Sequence, residues 1–226
     1  PDVKSVRIRF VRESLNEQFS FRVGQFGMFS LFGLGESTFN ICSSSTWKGY
    51  LEFCFRKTGR VTEGLWHLEP GDVIGFRGPY GNGYPMRAWE GKDLVFVGGG
   101  IAMPPIRCAI WYALENRDRY GNITIVYGAR TESDIVFRDE LKAWSEIDRV
   151  RVVKCVDPGG ESSSWDGEVG FVPTVLENAQ IKADNAIALV IGPPVMIRFS
   201  MPVLSKMGLS DDRIFTSLEN RMKCGV

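Results

Sequence analysis

Leu94-Val95-Phe96-Val97-Gly98-Gly99-Gly100 is an apolar run that stops at three glycines, and Ile187-Ala188-Leu189-Val190-Ile191-Gly192-Pro193-Pro194 repeats the device. Each reads as a buried parallel strand ending in a turn that brings bare backbone close to a ligand. The helix amino termini that follow such strands present unpaired N–H groups to phosphate or to a planar ring. A glycine run after a strand also serves tight packing, so three glycines alone do not decide between the two uses.

Working outward, apolar runs at residues 94–97, 123–127, 151–155, 186–191 and 214–217 alternate with helical spacing. Ile106, Ala109, Ile110, Ala113 and Leu114 share one face of a helix over 105–116, and Phe137, Leu141, Trp144 and Ile147 share another. Pro202 predicts a kink or a restart in the segment 196–207. Before residue 90 the runs at 3–10, 19–23, 28–32, 50–56 and 72–77 are short, β-rich and separated by glycine and polar clusters. The expected architecture is two domains: an antiparallel β-barrel over 1–90, nearly free of helix, then a doubly wound α/β domain with a five-stranded parallel sheet over 91–226.

The 226 residues carry 27 Lys plus Arg against 27 Asp plus Glu, so no overall field favours nucleic acid or an anionic membrane. No stretch has the length of an apolar membrane span, and the charged opening is no secretory signal. Cysteines at 42, 54, 108, 155 and 224 form no CxxC pair, which fits a reducing cytoplasm. Cys54, Cys108 and Cys155 read as small buried hydrophobes. His67 is the only histidine, and it has no carboxylate pattern beside it, so histidine acid/base chemistry has little support. Met28, Trp89 and Trp165 are aromatic and thioether groups available for a docking face.

The local motifs narrow the architecture. Phe39-Asn40-Ile41-Cys42-Ser43, Gly59-Arg60-Val61-Thr62 and Gly78-Pro79-Tyr80-Gly81 resemble the flavin barrel of the ferredoxin-NAD(P) reductase superfamily. Gly98 to Pro105, Tyr127-Gly128-Ala129-Arg130 and Gly192-Pro193-Pro194-Val195-Met196 resemble its nucleotide half in the same order. Within that superfamily the chain is most similar to the gamma-type diaphorase subunits of cytoplasmic hydrogenases and anaerobic sulfite reductases, and to the electron-transfer subunit of dihydroorotate dehydrogenases.

The resemblance implies roles. Phe39 would lie along a flavin ring and Asn40 near its N5, with Ile41, Cys42 and Ser43 completing the motif; Ser37 stands where the family has arginine. Gly59, Arg60, Val61 and Thr62 would hold a pyrophosphate, which implies FAD rather than FMN. Gly99, Gly100, Ile101, Ala102 and Pro104, with Gly192, Pro193, Pro194 and Met196, would position the nicotinamide of NAD(P)H. Ala102 replaces a family glycine, harmless at negative φ and strained at positive φ, and Ile191 replaces a cysteine. Tyr127 and Arg130 fall where the adenosine ribose rests, Arg130 either pairing a 2′-phosphate or standing as a solvated charge.

Family members carry one more strand before residue 1. Cys224-Gly225-Val226 resembles the start of a [2Fe-2S] segment, so a cluster is expected only in a longer parent chain and none in this stretch, where one thiolate remains of the four a cluster needs. The implied function is electron transfer between NAD(P)H and an iron-sulfur protein or subunit through FAD, within a hetero-oligomer. The alternative is a flavin-containing relay or binding subunit that no longer uses NAD(P)H.

Overall fold

The computed structural model describes residues 2–217. The first half holds β1 (Val3–Ile8), α1 (Glu13–Gln18), β2 (Phe26–Leu31), β3 (Gly35–Asn40), β4 (Leu51–Arg56), α2 (Arg60–Trp66) and β5 (Gly75–Tyr80). They form two antiparallel sheets, β1-β4 and β3-β2-β5, joined among the described residues by a bridge between Ile41 and Phe53. Period-two alternation explains the packing: Leu51, Phe53 and Phe55 of β4 enter an aromatic core with Phe29, Phe39 and Ile41. Phe29 and Phe53 meet edge to face at 4.5 Å between ring centroids. Glu52, Cys54 and Arg56 therefore turn to the opposite face of β4.

The second half holds β6 (Asp93–Gly99), α3 (Met103–Glu115), β7 (Ile123–Ala129), α4 (Arg138–Ser145), β8 (Val150–Val156), β9 (Glu168–Val169), α5 (Val172–Asn178), β10 (Ala186–Ile191), α6 (Pro194–Lys206) and β11 (Ile214–Thr216). The sheet order is β11-β10-β6-β7-β8-β9, with every pair parallel. Strand order reverses between β6 and β10, so both glycine turns lie at the carboxyl side of one switch point.

Several expectations are corrected. Among the described residues the sheet has six strands rather than five, because β9, two exposed residues long, adds to β8. No strand forms at 19–23: Phe19 and Phe21 pack into the aromatic core from irregular chain that follows α1, itself not anticipated. Helix α1 is anchored by Asn16, whose amide exchanges two hydrogen bonds with the backbone of Phe10. Pro202 does not restart α6, which runs unbroken from Pro194 to Lys206; it is exposed, and the carbonyl four residues back that loses its donor belongs to the exposed Arg198. Trp89 is 2% exposed and packs against Phe215 at 4.9 Å, so it is no docking group. The face Ile106, Ala109, Ile110 and Ala113 is core, as its spacing requires.

One helix ties the halves together. Arg107, Trp111 and Glu115 recur every four residues along α3, on the side facing the first half. Arg107 is 5% exposed. Its Nε and Nη2 each donate to a carboxylate oxygen of Glu140 at 2.6 Å, and its Nη1 donates to the Cys42 carbonyl at 2.9 Å and to Glu52 at 2.8 Å. Glu115 accepts from Ser44 at 2.6 Å, and from Thr46 and Trp47. Burial works against the guanidinium charge, but Glu140, Cys42 and Glu52 outweigh it, and the pKa of Arg107 is raised. Truncating one partner of such a buried pair strands the other, so Arg107→Met is expected to lower unfolding free energy by about 3–5 kcal/mol in urea titration.

Candidate functional site

The outward face of β4 forms one wall of a seam between the halves. Ser5 pairs directly with Cys54 in the β1–β4 ladder. The Ile41–Phe53 bridge, extended one residue, sets Asn40 opposite Cys54 and Phe39 opposite Phe55, and the latter two rings meet at 5.6 Å on the core side. Asn40 therefore shares the seam side with Cys54 and Ser5. A cavity of about 230 Å³ opens there, lined by Asp2, Val3, Ser5 and Cys54 on one side and Ser133, Asp134, Ile135, Val136 and Phe137 on the other. This is below the roughly 300–1,000 Å³ of a whole-ligand pocket and suits one ring system. The Nδ2 of Asn40 is buried and has no hydrogen-bond partner among the described residues, a donor left for an ordered water or a ligand to satisfy.

The residues expected around this site divide into two groups. Phe39, Ile41, Cys42 and Ser43 are all buried, and only Asn40 of that motif retains access. Phe39 is 8% exposed, between Phe29 at 5.2 Å and Phe55, so its ring belongs to the core. The Ser43 hydroxyl accepts from the Glu52 N–H, and Cys42 serves Arg107 through its carbonyl. Burial pushes the Cys42 and Cys54 thiols up.

At α2 the Thr62 hydroxyl, expected at a phosphate, is already occupied: it accepts from the N–H groups of Thr58 and Gly59 and donates to the Gly59 carbonyl. Thr62 shapes the loop, and Arg60 reaches back to the Gly33 carbonyl at 3.3 Å. Val61 packs at the rim of the aromatic core.

The two glycine turns of the second half pack on each other. A methyl on Gly99 would meet the Met196 sulfur at 2.5 Å and Pro193 at 3.0 Å, and one on Gly192 would meet Met196 at 2.6 Å. Gly99 is thus required by packing, while Gly100, at φ +58 with nothing near it, is the position that leaves backbone open. Ala102 has φ −79, so its methyl is unstrained. Pro104 lies in the first turn of α3 and Pro194 opens α6, where no N–H is needed; Ile101 sits between Gly100 and Ala102 in a single 3-10 turn.

Tyr127 is fully buried, and its hydroxyl donates to the Gly100 carbonyl at 2.8 Å and accepts from the Val136 N–H at 3.3 Å. It braces the glycine turn. Arg130 is exposed at the end of β7. Burial raises the Asp157 carboxyl nearby, with the Arg130 charge working the other way. Cys224 lies outside the described residues.

The match to known proteins follows this geometry. Residues 96–201 fit the oxidoreductase NAD-binding domain. Sulfhydrogenase 1 subunit gamma of Pyrococcus furiosus is 38% identical over 218 residues, covering 96% of this chain and 75% of that protein. The chain belongs to the ferredoxin reductase-like superfamily. A probable dihydroorotate dehydrogenase B (NAD(+)) electron transfer subunit of Thermococcus kodakarensis is 31% identical, covering 100% of this chain and 81% of that protein. In fold it matches a ferredoxin NADP+ reductase from Neisseria gonorrhoeae, solved with bound FAD and NADP, at a TM-score of 0.78 and 20% identity, over 96% of this chain and 92% of that one. Among the described residues no helix is long and apolar enough to cross a membrane.

Sequence reasoning missed Glu52, Arg107, Glu140 and the loop 133–137. The four-residue spacing of Arg107, Trp111 and Glu115, on a side of α3 away from its apolar stripe, was the available signal for the first group.

Two outcomes test this description. Gly99→Val is expected to overpack the paired turns, at a cost of about 1–3 kcal/mol, and Met196→Ala in the same chain to recover part of it; melting temperatures of the single and double variants measure both. Burial pushes the Cys108 and Cys155 thiols to about 12, leaving about one part in ten thousand as thiolate at pH 8. Native-state alkylation followed by mass mapping should leave both unlabelled until denaturant is added.

Proposed function

We propose that this chain is the FAD- and NAD(P)H-binding subunit of a larger electron-transfer complex, passing electrons between the nicotinamide nucleotide and an iron-sulfur partner, in a cytoplasmic setting. The observation that carries it is the buried, unpartnered Asn40 amide, which strand pairing sets beside Cys54, itself a wall of the seam cavity. A planar heterocycle with an acceptor nitrogen completes both. When bound, FAD supplies exchange between a two-electron hydride donor and a one-electron acceptor.

The protein's share is alignment and exclusion of water. Asn40 Nδ2 donates to the ring edge, and the turn from Gly59 to Thr62 offers the phosphates the backbone N–H groups of Arg60, Val61 and Thr62, with the Arg60 side chain offsetting their charge. Gly100 to Pro104 and Gly192 to Pro194 frame the nicotinamide, and Ile191 keeps the ring face dry. Arg130 stands at the adenosine end. In this reading the chain divides near residue 90 into a flavin-binding and a nucleotide-binding domain, and any [2Fe-2S] group belongs to a longer parent chain beginning its ligands at Cys224. Free, buried Cys42, Cys54, Cys108 and Cys155 support a reducing compartment.

Anaerobic mixing with NADH and with NADPH is the test. Bleaching of a flavin absorption band within milliseconds to seconds is the expected result with at least one of them. A yellow protein whose colour persists with both would be a relay that has lost nicotinamide use. Colourless protein that takes up no added FAD overturns the proposal altogether.

A further inference from the structure

A buried hydroxyl joins the open glycine turn of the second half to the wall of the seam cavity. Tyr127, near the carboxyl end of β7, is fully buried; its Oη donates to the Gly100 carbonyl at 2.8 Å and accepts from the Val136 N–H at 3.3 Å. Gly100 is the residue whose left-handed backbone borders open space, and Val136 lines the cavity. The Gly100 carbonyl also accepts the Met103 N–H, so the start of α3 shares the arrangement. Val136 lies outside helix and strand, so its N–H has no ladder to join. With the hydroxyl removed, that donor is left unsatisfied.

The loop 133–137 is itself fastened to the first half. Asp134 accepts from the Thr131 hydroxyl at 2.9 Å and lies 3.6 Å from the guanidinium of Arg56, on the outward face of β4. Three residues on, the Phe137 ring lies under the Arg107 guanidinium at 4.8 Å, and Arg107 donates to Glu52 of β4. Burial raises the pKa of the Tyr127 phenol, which keeps it a donor, and Arg56 and Asp134 are near enough for their charges to act on it. The loop thus takes its place from β4, and Tyr127 hands that place on to Gly100. Such a link matters wherever two reacting rings are held by different halves, since a misplacement of about 1 Å costs on the order of a hundredfold in rate.

We propose that Tyr127 is a positioning residue for the nicotinamide nucleotide: through the loop 133–137 it fixes the Gly100 turn relative to the flavin-binding half. The inference rests on the reading that Gly100 to Pro104 frame the nicotinamide. Tyr127 acts through the backbone on either side of its hydroxyl.

Tyr127→Phe keeps the ring and removes only the hydroxyl. Hydrogen exchange in the full chain, with and without FAD, reads the link directly. Amides of 100–103 and of 133–137 should exchange about tenfold faster together, while those of β6 and β10 keep the rates of the unmodified protein. Acceleration of one segment without the other overturns the link. In anaerobic stopped flow with FAD bound, reduction at saturating nicotinamide nucleotide should slow about tenfold. Reduction by dithionite, which delivers single electrons and makes no use of the turn, should keep its rate. Equal slowing with both reductants marks general damage and overturns the proposal, as does slowing with neither. Asp134→Asn, which loosens the other anchor of the loop, should also slow the nucleotide reaction, and the double variant should be no slower than the slower single one. Effects that multiply show two independent groups and overturn the proposal. An unmodified protein whose flavin neither NADH nor NADPH reduces overturns the underlying function and this inference together; a negative result confined to Tyr127→Phe leaves that function standing.

Discussion

A buried guanidinium holds this molecule in one arrangement. Arg107 is nearly inaccessible, yet it satisfies a carboxylate on α4, a carboxylate on β4 and a backbone carbonyl at Cys42. Taking that charge out of water is tolerable only with carboxylates and a carbonyl to accept from it, and those partners come from both halves. The same residue therefore decides how the outward face of β4 meets the loop 133–137. The cavity lies where those two surfaces meet, with Cys54 on one wall and residues 133–137 on the other.

Much of the second half was legible because its signals are local. Ile106, Ala109, Ile110 and Ala113 repeat with helical spacing, and β6 and β10 are apolar runs ended by glycine; both patterns survive folding unchanged. The first half was read less well. Phe19 and Phe21 look like strand residues, but burial of an aromatic ring does not require an extended ladder, and here irregular chain delivers both to the core. β9 was invisible, since two exposed residues carry no period.

The candidate site divides the same way. Within the motif at 39–43, alternation along β3 decides which member faces the seam, and a family pattern does not state the phase. One bridge, Ile41 to Phe53, fixes it: Asn40 outward and Phe39 inward. Thr62 and Tyr127 illustrate a second limit. Each carries a hydroxyl suited to a ligand, and each spends it on the backbone that shapes the site, Thr62 on the loop before α2 and Tyr127 on the glycine turn. Residue type identifies available chemistry; only the hydrogen-bond ledger shows what is left over.

The depth of the Arg107 clamp separates two effects of ionic strength. Mobile ions weaken charges that water reaches and scarcely touch a guanidinium enclosed on all sides. Alignment of the two halves should then be the same in dilute and concentrated salt. A turnover rate that does change with salt would report collisions with another molecule, and the protein carries its own internal control for that distinction.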